Sequence, residues 1–165
     1  VLDHGSAGWF FILNAPDEES LLRKEESLLE RLDAEIEAGR LGSYLATSAF
    51  LPSLARQTEA LRLVEANLLP MAETQFAALG FPESAAQSYR AAFRGQAERR
   101  LHPEAFLRGP FAEFAANLWL GEIEGERYSV VMPLHASEPD HFEAIAESIE
   151  AISVGRVEAS RNGVK

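Results

Sequence analysis

"NLWLGEIEGERYSVVMPL", residues Asn117–Leu134, decides the fold. Two apolar runs flank a short, charged, glycine-containing break, the pattern of two strands folded back on each other. The spacing predicts strands over Leu118–Ile123 and Arg127–Leu134, with Glu124–Glu126 as the turn. The rest of the chain reads mostly as helix, so the question is what a hairpin does in such a chain.

Working outward, the N-terminal "GWFFILNAP" is aromatic and branched and stops at Asn14 and Pro16, which predicts a buried strand. In the next segment, Leu21, Leu22, Leu28, Leu29, Leu32 and Ile36 recur at helical spacing and form one apolar stripe. Asp17, Glu18 and Glu19 lie where the helix dipole favours negative charge, and Gly39 is placed to close the helix with a left-handed cap. "SYLATSAF", Ser43–Phe50, has the composition of a second strand, and Ser53 after Pro52 is a candidate helix cap. From Leu54 to Asn117 the chain is expected to form short helices divided at Pro70, Gly80–Pro82, Gly95, His102–Pro103 and Gly109–Pro110. After the hairpin, Asp140 can cap a helix with Phe142, Ile145, Ile149 and Ile152 on its apolar face. Residues 152–157 are then favoured as a last strand over a continuation of that helix.

The order β-α-β, helical block, β-β, α, β contains the split βαβ or ferredoxin-like pattern. The expectation is therefore an α+β fold formed by one domain over residues 1–165, with a helical insertion at 54–117. The hairpin supplies the middle of a small sheet covered by two amphipathic helices.

Composition narrows the function. At 165 residues folding buries roughly two-thirds of the chain's surface, enough for a core. The formal net charge is −11, from 26 acidic and 15 basic residues, and such a surface repels nucleic-acid backbones and anionic headgroups. With no cysteine there is no disulfide, thiolate metal site or cysteine nucleophile. "WFFIL", Trp9–Leu13, falls far short of the ~20 residues of a membrane span. A start at Val1, with neither methionine nor signal peptide, suggests processing or excision from a longer chain.

Motifs for chemistry are sparse. Of His4, His102, His135 and His141, only His135 and His141, with Glu138 and Asp140 between them, cluster at all. No pair has the i, i+4 spacing of a metal helix, and a solvated loop before a helix cap is the simpler reading. "GSAG", Gly5–Gly8, lacks the spacing of a nucleophile elbow, and the scattered serines read as caps and surface residues. Gly121 and Gly125 flank a turn that no helix follows, so they form no phosphate loop, and "GEIEGE" lacks the ligand spacing of a calcium loop. No cofactor, metal or catalytic residue is expected. The aromatics Phe76, Phe81, Tyr89, Phe93, Phe106, Phe111 and Phe114 concentrate in the helical block, where they either pack short helices together or line a groove for a greasy ligand.

Five stretches in order carry a family resemblance: "FFILNAPDEESLLRKEESLLERLD", "LPSLARQ" (Leu51–Gln57), "LHPEAFL" (Leu101–Leu107), "LWLG" and "RYSVVMPL". From about Trp9 to Ser160 the chain resembles the extracytoplasmic loop domain of MMPL-type exporters in the resistance–nodulation–division superfamily. Within that group it is most similar to relatives of the xanthomonadin pigment exporter. The resemblance implies a porter-type βαββαβ module on the periplasmic face of the bacterial inner membrane. Its partners would be the membrane-helix bundles and second loop domain of the same parent chain, and its cargo hydrophobic or lipid-like. Proton flow would drive export through carboxylates in membrane helices outside this segment, so the resemblance carries no catalytic residue over and implies no enzyme. Phe76, Phe81 and Phe93 are then the first candidates for cargo contact. A stand-alone extracytoplasmic ligand-binding or protein-docking module is the alternative.

Overall fold

The hairpin forms, with a tighter turn than expected. In the computed structural model, which describes residues 8–97, 99–136, 141–149 and 153–157, β3 (Trp119–Ile123) and β4 (Glu126–Leu134) are joined by Glu124 and Gly125 alone. Both turn residues have positive φ, 52° and 89°, the signature of the primed two-residue turns that match the twist of antiparallel strands. Glu126 therefore belongs to the strand and sits opposite Ile123. Near the other end, Trp119 faces Ser129 whereas Gly121 faces Tyr128, leaving Leu120 as the extra residue of a bulge. Gly121, at φ 80°, supplies the left-handed backbone there.

β4 is the centre of the sheet. Along one edge runs β1 (Gly8–Ala15), with Phe11 opposite Val131 and Leu13 opposite Ser129. The other edge carries β3 and then β2 (Ser43–Leu45), where Ser43 faces Leu134. β5 (Ser153–Val157) borders β1 on its far side, with Val154 opposite Phe11, so the last segment is a strand. The order is β2-β4-β1-β5, with β3 paired to β4. Strands β1 and β2, each antiparallel to β4, are parallel to one another with β4 between them. This is the split βαβ, ferredoxin-like α+β fold.

One face of the sheet carries the core. Phe11, Leu13 and Ala15 of β1 alternate inward and meet Leu21, Leu28 and Leu32 of α1 (Glu18–Glu37) and Phe142 and Ala146 of α7 (His141–Ser148). The Phe142 ring meets Phe11 edge-on, with centroids 5.6 Å apart. Both ends of α1 are capped locally. Asp17 accepts from the Ser20 N–H at 2.8 Å, and Gly39, at φ 72°, opens a Schellman closure in which the Arg40 N–H reaches Glu35 O at 2.9 Å. The C-terminal helix's expected cap at Asp140 and apolar Ile152 lie outside the described residues.

The strand expected over Ser43–Phe50 stops at Leu45. Ala46, Thr47 and Ser48 instead turn into the interior, and Thr47 O accepts from the N–H groups of Phe50 (3.0 Å) and Leu51 (2.9 Å). The Ser48 N–H, which a longer strand would have given to the sheet, goes to the Glu25 side chain.

Residues Ser53–His102 form a compact unit of their own, covering the first part of the 54–117 stretch. Ser53 caps α2 (Leu54–Leu63) by accepting from the Arg56 N–H at 3.1 Å. Pro70 does not divide the helices as expected. One turn of π geometry, Val64–Leu68, carries α2 into α3 (Leu69–Ala78), and this wider turn gives the proline ring room beside the preceding carbonyls. Gly80, at φ 76°, does end α3. Gly95 breaks nothing, and α4 runs from Glu83 to Ala97. The short α5 (Pro103–Leu107) and α6 (Ala112–Ala115) belong to the sheet-bearing unit, whose core includes Phe106 and Ala115.

Candidate functional site

The helical unit owes a hollow beside α3 to the way that helix ends. In the Schellman closure at Gly80, the Phe81 N–H bonds to Phe76 O at 2.9 Å, and the Gly80 N–H bonds to Ala77 O at 3.1 Å. Such closures bring together the side chains at the two ends of the longer bond. Accordingly the Phe76 and Phe81 rings meet edge-on, 5.4 Å apart, and Tyr89 of α4 adds a third ring 5.6 Å from Phe76. Phe81 and Tyr89 each leave about half of their surface in water, 51% and 46%.

Phe76 and Phe81, with Pro82 and Ala86, line a hollow of about 480 Å³. Glu73 of α3 and Arg90 of α4, which also line it, form an ion pair, and the Gln87 side chain donates to Glu83 at 3.2 Å. Apolar surface with a few polar groups suits an amphipathic small molecule, and the volume lies in the range of small-ligand sites. Of the three candidate contact residues, Phe76 and Phe81 come together here. Phe93, half-buried one turn beyond Tyr89, is not among the residues lining the hollow. The aromatic set read from the sequence divides between the two units. Phe106, Phe111 and Phe114 belong to the sheet-bearing unit, where Phe50 lies 5.0 Å from Phe114 and 6.1 Å from Phe111.

A second group, missed in the sequence, lies in the sheet-bearing unit. Glu25 falls on the buried face of α1 between Leu21 and Leu28 and is fully enclosed. Its carboxyl accepts from the Ser48 N–H at 2.9 Å and from the Ser129 hydroxyl of β4 at 3.0 Å. Burial outweighs these bonds and pushes its pKa up to about 7. The Thr47 hydroxyl, buried beside it, has no hydrogen-bond partner among the described residues. The signal was present: a glutamate pair, Glu25 and Glu26, stands where the leucine stripe of α1 calls for apolar residues, and Glu25 is the fully buried member. Glu35, by contrast, is held below the usual carboxylate range by its two-pronged bond to Arg40, at 2.6 and 2.9 Å.

The histidines are scattered. His135 follows the end of β4 at φ 57°, close to Gly42, where an added Cβ would stand 3.0 Å from the His135 Cβ. His141 opens α7, whereas His4, Glu138 and Asp140 lie outside the described residues. Among the described residues no group of three acidic or histidine side chains could hold a metal ion. In the acidic turn, Glu122 is engaged by Arg127 at 2.6 Å. Among the described residues no helix is long and apolar enough to cross a membrane. No family model matches the chain, and no curated protein or solved structure matches it either.

Proposed function

We propose that this chain is an extracytoplasmic domain of a proton-driven exporter of the RND/MMPL type. In this reading the ferredoxin-like sheet is the rigid body, and the helical unit receives hydrophobic or amphipathic cargo on its way outwards. The observation that carries it is the ring cluster of Phe76, Phe81 and Tyr89, in which Phe81 and Tyr89 are half exposed and Phe76 and Phe81 line the hollow, instead of a closed core. Leu68, Met71 and Leu79 of the same unit add apolar surface that is more than half exposed, as interaction surfaces often do. The domain needs no catalytic residue to work in this way, and none is assigned.

Binding is tested with a fluorescent fatty-acid probe on the 165-residue chain. Phe81→Ala is expected to weaken it at least fivefold, and Phe93→Ala to leave it within twofold. Equal binding by wild type and Phe81→Ala would remove the hollow from the proposal. The parent gene tests the exporter reading separately. Apolar stretches of ~20 residues on both sides of this segment support it, whereas a signal peptide before it and a stop codon after it favour a free binding module.

A further inference from the structure

The helical unit is too thin to bury its own apolar surface. Among the described residues of Ser53–His102, Leu69 is the one buried hydrophobic residue, whereas Leu63, Leu68, Met71 and Leu79 are from 47% to 72% exposed. A helical hairpin without a core gains little from its own packing, so a further surface is needed to cover it.

The exposed residues form one row, and the π turn aligns it. In a regular helix Leu63 and Leu68 would stand about 140° apart. The extra residue of the Val64–Leu68 turn sets the helix back by about 100°, which brings Leu63, Leu68, Met71 and Leu79 within an arc of roughly 80°. The row also reads the same from both ends. Leu63, Asn67, Met71, Gln75 and Leu79 follow one another at i, i+4, alternating apolar and amide side chains symmetrically about Met71. A second copy laid antiparallel, with the two-fold axis at Met71, sets Leu63 beside Leu79 of that copy and Asn67 beside its Gln75. The Asn67 side chain donates to Leu63 O at 2.9 Å in its own helix, and its carbonyl can accept from the Gln75 amide opposite. Thr74, beside the row, donates to Pro70 O at 2.9 Å, so covering it leaves no unbonded hydroxyl.

Charge favours the same pairing. Residues 66–82 carry a single charge, Glu73, which is engaged with Arg90. Six arginines and five glutamates give residues 53–102 a formal charge of +1, so the rest of the chain holds −12 and the whole −11. Two copies meeting through their sheet-bearing units would repel, whereas two helical rows meet without opposing charge.

We propose that the exposed face of α2 and α3 is a homodimer interface: two copies of this chain pack antiparallel along Leu63, Asn67, Met71, Gln75 and Leu79, with Leu68 beside the row. The interface stands whether or not the hollow receives cargo.

Sedimentation equilibrium of the 165-residue chain is expected to show a reversible dimer at micromolar concentration. Leu68→Glu and Met71→Glu are each expected to raise its Kd at least tenfold. Leu120→Glu, at a half-exposed leucine of β3, is expected to change it less than twofold. Because the chain has no cysteine, single cysteines read the orientation. On mild oxidation, Leu63→Cys and Leu79→Cys chains are expected to link to one another at least fivefold more than either links to itself. A monomer at every concentration, a dimer indifferent to both glutamates, or cysteines that link like to like would overturn the proposal. Should either glutamate variant fail to fold, the cysteine pair decides.

Discussion

Glu25 makes the stability of the fold depend on pH in a direction opposite to that of most carboxylates. Its folded pKa of about 7 stands above the 4.5 of a free glutamate, so its contribution is fully present below pH 4.5 and declines as pH rises to 7. At about 1.4 kcal/mol per unit, the loss across that window is about 3 kcal/mol. Glu25→Gln keeps the shape and removes the charge. The variant is expected to exceed wild type in denaturant midpoint at pH 8 and to approach it at pH 5. Taking the difference between the two proteins cancels the opposing effects of Asp17 and Glu35, whose carboxyls are held low by Ser20 and Arg40. A second residue carries strain of another kind: Glu124 holds φ 52° in the hairpin turn, a backbone region that asparagine tolerates better than glutamate. Glu124→Asn is expected to stabilise the chain by about 0.5–1 kcal/mol, read from chemical unfolding at neutral pH.

Helix ends do most of the organising at the scale of elements. Gly39 and Gly80 close α1 and α3 with the same pattern of bonds, yet the chain leaves the two closures differently. After Gly39 it returns to the sheet through Leu41, which is buried in the core, whereas after Gly80 the next residue is Phe81, half in water. A Cβ at Gly80 would touch nothing within 4 Å, so Gly80→Ala acts through backbone conformation alone, at φ 76°. The expected cost is about 1 kcal/mol, from melting of the helical unit. Because that closure also seats Phe81 against Phe76, the variant is expected to bind the fatty-acid probe more weakly than wild type. Unchanged binding would show that the ring pair does not depend on the closure.

Considered whole, the molecule divides its tasks between two units. Every residue of the main core lies outside the 53–102 segment, from Phe11 and Leu51 to Phe106 and Phe142. Replacing residues 53–102 by a short Gly/Ser linker is therefore expected to leave the sheet-bearing unit folded, with a cooperative unfolding transition. Its two tryptophans, Trp9 and Trp119, both belong to this unit and report the transition by fluorescence. Loss of that transition would mean that the sheet needs the helical unit to fold. The same division suits a domain whose body must stay rigid while an attached surface handles cargo, since apolar groups can be left exposed on one unit without weakening the core of the other.

Much of this architecture was legible in the sequence because the deciding signals are local. The leucine period and flanking caps of α1, the hairpin around Gly125 and the order of the elements each depend on residues a few positions apart, and together they determine a ferredoxin-like sheet. The aromatic cluster was legible in part. Phe76 and Phe81 flank a closing glycine and are joined by one local bond, whereas Phe93 resembled them in composition alone. Tertiary structure decided the rest. β2 ends after three residues because Glu25 takes the Ser48 N–H across 23 positions, and the same carboxyl takes Ser129 across 104. Pro70 lies inside a continuous helical run because a π turn relieves it, and no propensity scale encodes that turn. The polar centre at Glu25 was hidden for the same reason: a glutamate among leucines becomes a buried acid only when strands and loops distant in sequence close over it.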